Sequence, residues 1–182
     1  MNGPLRVLFV CTANICRSPF MEMLAEHLGD DGLQTSSAGT HGLDGRPMNA
    51  EMTGPLLARG VPADRVERFR SRPLVADLVS DADVVLTAET AHRRLVLEQQ
   101  PAAAHKVFTL GQFATAVHDA DGATGSDLVR AVGARRPPAD AALDVPDPYR
   151  RGKEAAATCA RQVESLLRVT VPALTGSGRI SP

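Results

Sequence analysis

An apolar run, Leu5-Arg6-Val7-Leu8-Phe9-Val10, leads straight into Cys11-Thr12-Ala13-Asn14-Ile15-Cys16-Arg17-Ser18-Pro19. Helical spacing then sets in over Phe20–Leu28. The first run is rich in strand-forming residues. A strand that enters a helix through one short turn is the opening of a β-α unit. It points to a layered α/β arrangement, with the strand in a parallel sheet covered by helices.

The rest of the chain repeats the alternation. Further strands are expected at Leu33–Ser37, Asp83–Thr87 and Lys106–Leu110. Helices are expected at Ala50–Arg59, closed by Gly60, at Leu74–Ser80, at Ala88–Gln99 before Pro101, and at Gly111–Val117. Residues 41–49, with Gly42, Gly45 and Pro47, read as a surface loop. Residues 118–143 are less regular and leave room for a short helix over Ser126–Val132, capped by Ser126. A long amphipathic helix is expected at Glu154–Leu174, with Ala157, Val163, Leu166 and Leu167 on its apolar side. The expectation is a single-domain three-layer sandwich over residues 1–174, with a central parallel four-stranded sheet and helices on both faces, followed by a flexible tail at 175–182.

Composition narrows the function. The 182 residues suffice for one full core, and a net charge of −1 gives no global attraction to nucleic acid or an anionic membrane. No stretch approaches the roughly 20 apolar residues of a membrane span, and Met1-Asn2-Gly3-Pro4 lacks the basic start of a secretory leader. Three cysteines are too few for a disulfide scaffold, and a cysteine nucleophile needs a reducing compartment, so a cytoplasmic location is expected. The histidines at 27, 41, 92, 105 and 118 show no metal-ligand spacing; neither metal nor cofactor is expected.

The turn itself carries chemistry. Backbone N–H groups of a strand-to-helix turn converge on one space, and the helix N-terminus adds partial positive charge. Five residues separate Cys11 from Arg17, enough to wrap a tetrahedral oxyanion. Arg17 can hold two oxygens of such an anion through its planar fork. Positive surroundings favour a thiolate over a thiol, and a thiolate can attack phosphorus. A phosphate ester is therefore the first substrate to consider. A bare Cys-X5-Arg spacing would equally suit a buried structural cysteine and an arginine at a loop.

The longer run Val10–Pro19 resembles the signature of the low-molecular-weight protein tyrosine phosphatase family, in its bacterial branch. The resemblance continues through Ser37-Ala38-Gly39-Thr40 and ends at Asp147-Pro148-Tyr149. It implies Cys11 as a nucleophile that forms a phosphocysteine, Arg17 as phosphate ligand and Asp147 as general acid. It makes Thr12, Ala13, Asn14, Ile15, Cys16 and Ser18 the phosphate-binding loop, with the Ser18 hydroxyl toward the thiolate. Asn14 would brace the loop in a left-handed conformation, supported by Ser37, which reads equally well as an ordinary strand-end serine. Cys16 would pair reversibly with Cys11 under oxidation, or simply pack the loop. Leu43 and Tyr149 would wall the cleft, Tyr149 being also a candidate hinge residue. Asp144 is a competing carboxylate, while Cys159 reads as core and His41 as a solvated loop residue.

Two departures stand out. Ala13 occupies a position where the family usually has glycine, which requires that the backbone there keep a negative φ. Phe69 stands where some members place a histidine that supports the loop asparagine, so that hydrogen bond is expected to be missing. The resulting expectation is a phosphotyrosine protein phosphatase. Its partner would be a phosphotyrosine-containing protein, a tyrosine kinase among the candidates, with no nucleic acid or membrane involved and a monomer or weak dimer as the unit. The alternatives are an arsenate reductase using the same loop, for which Cys159 is a poor relay, and a non-catalytic phosphate-binding regulatory module.

Overall fold

The computed structural model describes residues 3–135 and 137–177. Four parallel strands form one sheet in the order β2-β1-β3-β4. They are β1 (Leu5–Cys11), β2 (Leu33–Gly39), β3 (Val84–Thr87) and β4 (Val107–Thr109). In β1 every residue except Arg6 is buried, as expected of a strand covered on both faces. Its alternate side chains enter two cores. Val7, Phe9 and Cys11 face one, and Leu8 and Val10 face the other.

The first core is closed by α1 (Arg17–Gly29), α2 (Ala50–Leu57), α6 (Leu110–Val117) and α8 (Gly152–Thr175), which supply Phe20, Met52, Phe113 and Val163 among others. The second lies under α4 (Ala76–Asp81) and α5 (Thr90–Gln99), through Val79 and Val96. The three-layer α/β sandwich expected from the alternation is what forms. α7 (Gly125–Arg135) packs beside α8.

Some expectations are corrected. Ser126 does not cap a helix: α7 starts one residue earlier, at Gly125, whose φ of 58° glycine tolerates, and runs on to Arg135. The helix after Asn49 ends at Leu57, short of Arg59; Gly60, at φ 87°, then turns the chain. A further helix, α3 (Ala63–Arg68), was not foreseen, because only Val66 in it is buried and no apolar period marks it. α8 extends to Thr175, with Gly176 left-handed after it. Of the expected tail, residues 178–182 lie outside the described residues.

Candidate active site

The turn Thr12–Cys16 sits at the C-terminal edge of the sheet, where β1 lies between β2 and β3. Its carbonyls are tied outward: Thr40 N–H donates to Cys11 O, His41 N–H to Thr12 O and Asn49 N–H to Ile15 O, at 2.9, 2.8 and 2.8 Å. Among the described residues, no backbone N–H from Ala13 to Cys16 donates to another group of the chain. The loop therefore presents free N–H donors at the start of α1, which is the construction of an anion nest. Ala13 keeps a negative φ, as its Cβ requires, while Asn14 is left-handed at φ 56°.

Asn14 is fully buried and every arm of its amide is used. Nδ2 donates to Ser18 Oγ (2.9 Å) and Ser37 Oγ (2.8 Å), and Oδ1 accepts from Arg72 N–H (2.9 Å). The backbone of Arg72 thus fills the role that the missing histidine left open, and Phe69 is a buried core residue instead. Ser37 passes the network to Glu22, which pairs with Arg65 of α3 at 2.6 Å. Beyond Ser18 the chain of contacts reaches the nucleophile: Cys11 Sγ lies 3.0 Å from Ser18 Oγ.

Gly39 permits this close assembly. It pairs in register with Cys11, and a Cβ there would stand 2.6 Å from Thr12 O and 2.9 Å from the Ala13 carbonyl carbon. A side chain at 39 would push directly into the loop.

Arg17 is 2% exposed, so its charge needs partners. Nη1 donates to Glu89 Oε1 at 2.5 Å and to the Val145 carbonyl at 3.0 Å. Nη2 lies 3.4 Å from Thr12 Oγ1 and 3.5 Å from Asp147 Oδ2. Nε is buried without a partner in the chain. A buried guanidinium N–H left unpaired beside a nest of free amides is a donor suited to an anion's oxygen.

Asp147 reaches the loop because the segment leading to it is anchored at two points. Val145 N–H donates to Ala88 O at 2.9 Å, just past β3, and Gly111 on α6 lets the Leu143 carbonyl approach to a distance no side chain would allow. The Asp147 side chain is 42% exposed, with Oδ1 accepting from Tyr149 N–H at 3.3 Å. Tyr149 and Leu43 are both exposed, and the Arg150 guanidinium lies 5.1 Å from the Tyr149 ring centre.

Cys16 and Cys159 are buried free thiols in the same core as Cys11. Burial, then the neighbouring Cys11, pushes the Cys16 thiol up to about 12. Burial also pushes Cys159 up to about 12. Cys159 lies on α8 beside a cavity that Asp147 also lines. A cavity of about 630 Å³ lies elsewhere: Arg6, Asp83 and Lys106 line it at the opposite ends of β1, β3 and β4.

The sequence reading missed Glu89, His92, Glu22 and Arg65. One signal was available for the first two. A carboxylate and an imidazole directly after the apolar strand Val84–Thr87 occupy the strand end at which parallel sheets place ligands.

Comparison with known proteins agrees with this arrangement. The family model described as low molecular weight phosphotyrosine protein phosphatase matches residues 6–124. A protein-arginine-phosphatase of Geobacillus stearothermophilus is 34% identical over 110 residues, 60% of this chain and 72% of that protein. The low molecular weight protein-tyrosine-phosphatase Etp of Escherichia coli (strain K12) is 34% identical over 108 residues, 59% of this chain and 70% of that protein. The structure of the YwlE arginine phosphatase from Geobacillus stearothermophilus superposes with a TM-score of 0.75 at 27% identity, covering 96% of this chain and 95% of that one. The structural match extends over nearly the whole chain, beyond the family match that stops short of Asp147.

Proposed function

Because the chain belongs to the low molecular weight phosphotyrosine protein phosphatase family, we propose that it hydrolyses phosphotyrosine in proteins through a phosphocysteine. The observation that carries this reading is the approach of Asp147 Oδ2 to 3.5 Å from Arg17 Nη2, which brings a carboxylate from near the last helix to the loop that holds Cys11.

In the first step the Cys11 thiolate attacks phosphorus and the bond to the phenolic oxygen breaks. Asp147 gives its proton to that oxygen. Arg17 and the loop amides stabilise the charge on the transferring oxygens. In the second step Asp147 takes a proton from water, the water oxygen attacks phosphorus, and sulfur leaves as a thiolate eased by the Ser18 hydroxyl. Inorganic phosphate departs. Asn14, Ser37 and the Arg72 amide keep the loop in shape throughout. Cys16 is the candidate resolving thiol if Cys11 is oxidised to a sulfenic acid, the two condensing to a disulfide with release of water.

Phosphatases among the relatives do not favour arsenate reduction. Phosphoarginine is a second reading, favoured by the relatives named arginine phosphatases. A phosphoguanidino group would need acceptors around it. Of the carboxylates near Arg17, Glu89 is bound to Arg17 and Asp144 to Thr90, leaving Asp147. The exposed Tyr149 and Leu43 suit an aromatic ring better. Parallel assays on phosphotyrosine and phosphoarginine peptides test this; kcat/KM should favour phosphotyrosine at least about tenfold, a difference of ~1.4 kcal/mol.

The substrate is a phosphorylated protein, a tyrosine kinase among the candidates, and the working unit a monomer or weak dimer in the cytoplasm. Among the described residues no helix is long and apolar enough to cross a membrane.

A further inference from the structure

Beside the mouth of the loop lies an imidazole that the two-step chemistry does not use. His92, in the first turn of α5, is 3% exposed. Its Nε2 is 2.8 Å from Thr12 Oγ1 and 3.7 Å from Glu89 Oε2. Its Nδ1 is buried with no partner. Thr12 Oγ1 also faces Arg17 Nη2 at 3.4 Å, and Arg17 Nη1 closes the circuit on Glu89 Oε1 at 2.5 Å. Arg17, Glu89, His92 and Thr12 form a ring of polar side chains with the phosphate-binding arginine as one member.

We propose that His92 is a positioning residue for phosphate recognition: its Nε2–H holds the Thr12 hydroxyl so that Thr12 fixes the Arg17 fork from one side and turns its own proton toward the phosphoryl group. The inference rests on the phosphatase reading of the same loop.

The hydrogen-bond inventory supports the direction of these bonds. Thr12 Oγ1 has two lone pairs and one proton. When Nε2 carries the imidazole proton, His92 and Arg17 fill both lone pairs, and the hydroxyl proton is left without an acceptor among these partners. The other tautomer would bury an N–H at Nδ1 with no acceptor, the rarer kind of orphan. Glu89 Oε2, on the Nε2 side, favours the proton there.

The imidazole must also stay neutral, since a second cation would oppose Arg17. Burial, then the Arg17 charge, pushes His92 down to about 4, with His41 acting in the same direction and Asp144 and Asp147 acting against it. Glu89, 3.7 Å away, is held by Arg17. His92 is therefore an uncharged donor at neutral pH.

The test measures KM for an aryl phosphate and competitive inhibition by inorganic phosphate in wild type, His92→Phe, His92→Gln, Thr12→Val and the His92→Phe/Thr12→Val double variant. The same series on a Cys11→Ser background, titrated with inorganic phosphate by calorimetry, reads the inference without turnover. Loss of turnover in wild type would overturn the phosphatase reading, and loss of the calorimetric pattern would overturn this one. His92→Phe and Thr12→Val should each weaken phosphate binding about tenfold, and the double variant should be no worse than either. His92→Gln, whose amide N–H can reach Thr12, should recover most of the loss. Thr12→Val lies on an exposed residue and keeps the test open if His92→Phe does not fold. Unchanged phosphate binding in Thr12→Val, or multiplying losses in the double variant, would overturn the proposal.

Discussion

The Asp144 carboxylate is bound to Thr90: Oδ1 accepts the Thr90 N–H at 2.8 Å and Oδ2 the Thr90 hydroxyl at 2.9 Å. Both oxygens are spent on the first turn of α5. Of the two acidic residues in the Asp144–Asp147 segment, Asp147 alone approaches Arg17, and its carboxylate stays partly open to solvent.

That division gives the first prediction. Asp147→Asn should lose roughly a hundredfold or more in kcat on phosphotyrosine and much less on an ester with a good leaving group, which needs no proton. Asp144→Ala should leave the leaving-group dependence as it is and lower stability by about 1 kcal/mol, as a lost helix-start contact does. Plots of kcat against leaving-group pKa, with thermal melts, check both.

Asn14 combines a left-handed backbone with a saturated side chain, and two substitutions separate these. Asn14→Gly keeps the backbone free to sit at φ 56°, whereas Asn14→Ala does not. Both should lose activity with the Ser18, Ser37 and Arg72 contacts. Asn14→Ala should be less stable than Asn14→Gly by about 1 kcal/mol, read from chemical denaturation.

A methyl group at Gly39 meets the loop carbonyl of Thr12, while one at Gly54, on the exposed side of α2, meets nothing within 4 Å. Gly39→Ala should therefore impair phosphate binding as well as stability. Gly54→Ala should be neutral or stabilising by about 0.5–1 kcal/mol. Melting temperature and phosphate inhibition constants distinguish the two.

The strand–turn–helix at residues 5–28 was legible because its signals are local: an apolar run, a cysteine and arginine at fixed spacing, and a helical period. Asn14 at positive φ and its contact to Ser37, 23 residues away, were expected from the family resemblance and not from local signals. Glu89 and His92 carried one local signal, their place directly after an apolar strand, but only the strand order sets the end of β3 beside β1. α3 was missed for want of an apolar face, yet its Arg65 neutralises buried Glu22 under the loop. The Arg72 contact to Asn14 runs through a backbone amide, which no residue type can announce.

His92 gives stability a pH dependence with a defined sign. Its folded value of about 4 lies below the model-peptide value of 6.5, so the unfolded chain binds the extra proton. The stabilisation is complete above pH 6.5 and is lost as pH falls through about 4. The scale is on the order of 3 kcal/mol. Denaturation at a series of pH values should show that slope in wild type, and His92→Gln should remove this component of it.

The role of Cys11 as nucleophile is tested by hydrolysis of an aryl phosphate by Cys11→Ser, with phosphate binding measured on the same sample. The geometry predicts no turnover above the buffer rate with phosphate still bound, because Arg17 and the loop amides remain in place. Turnover by Cys11→Ser at the wild-type rate would contradict it.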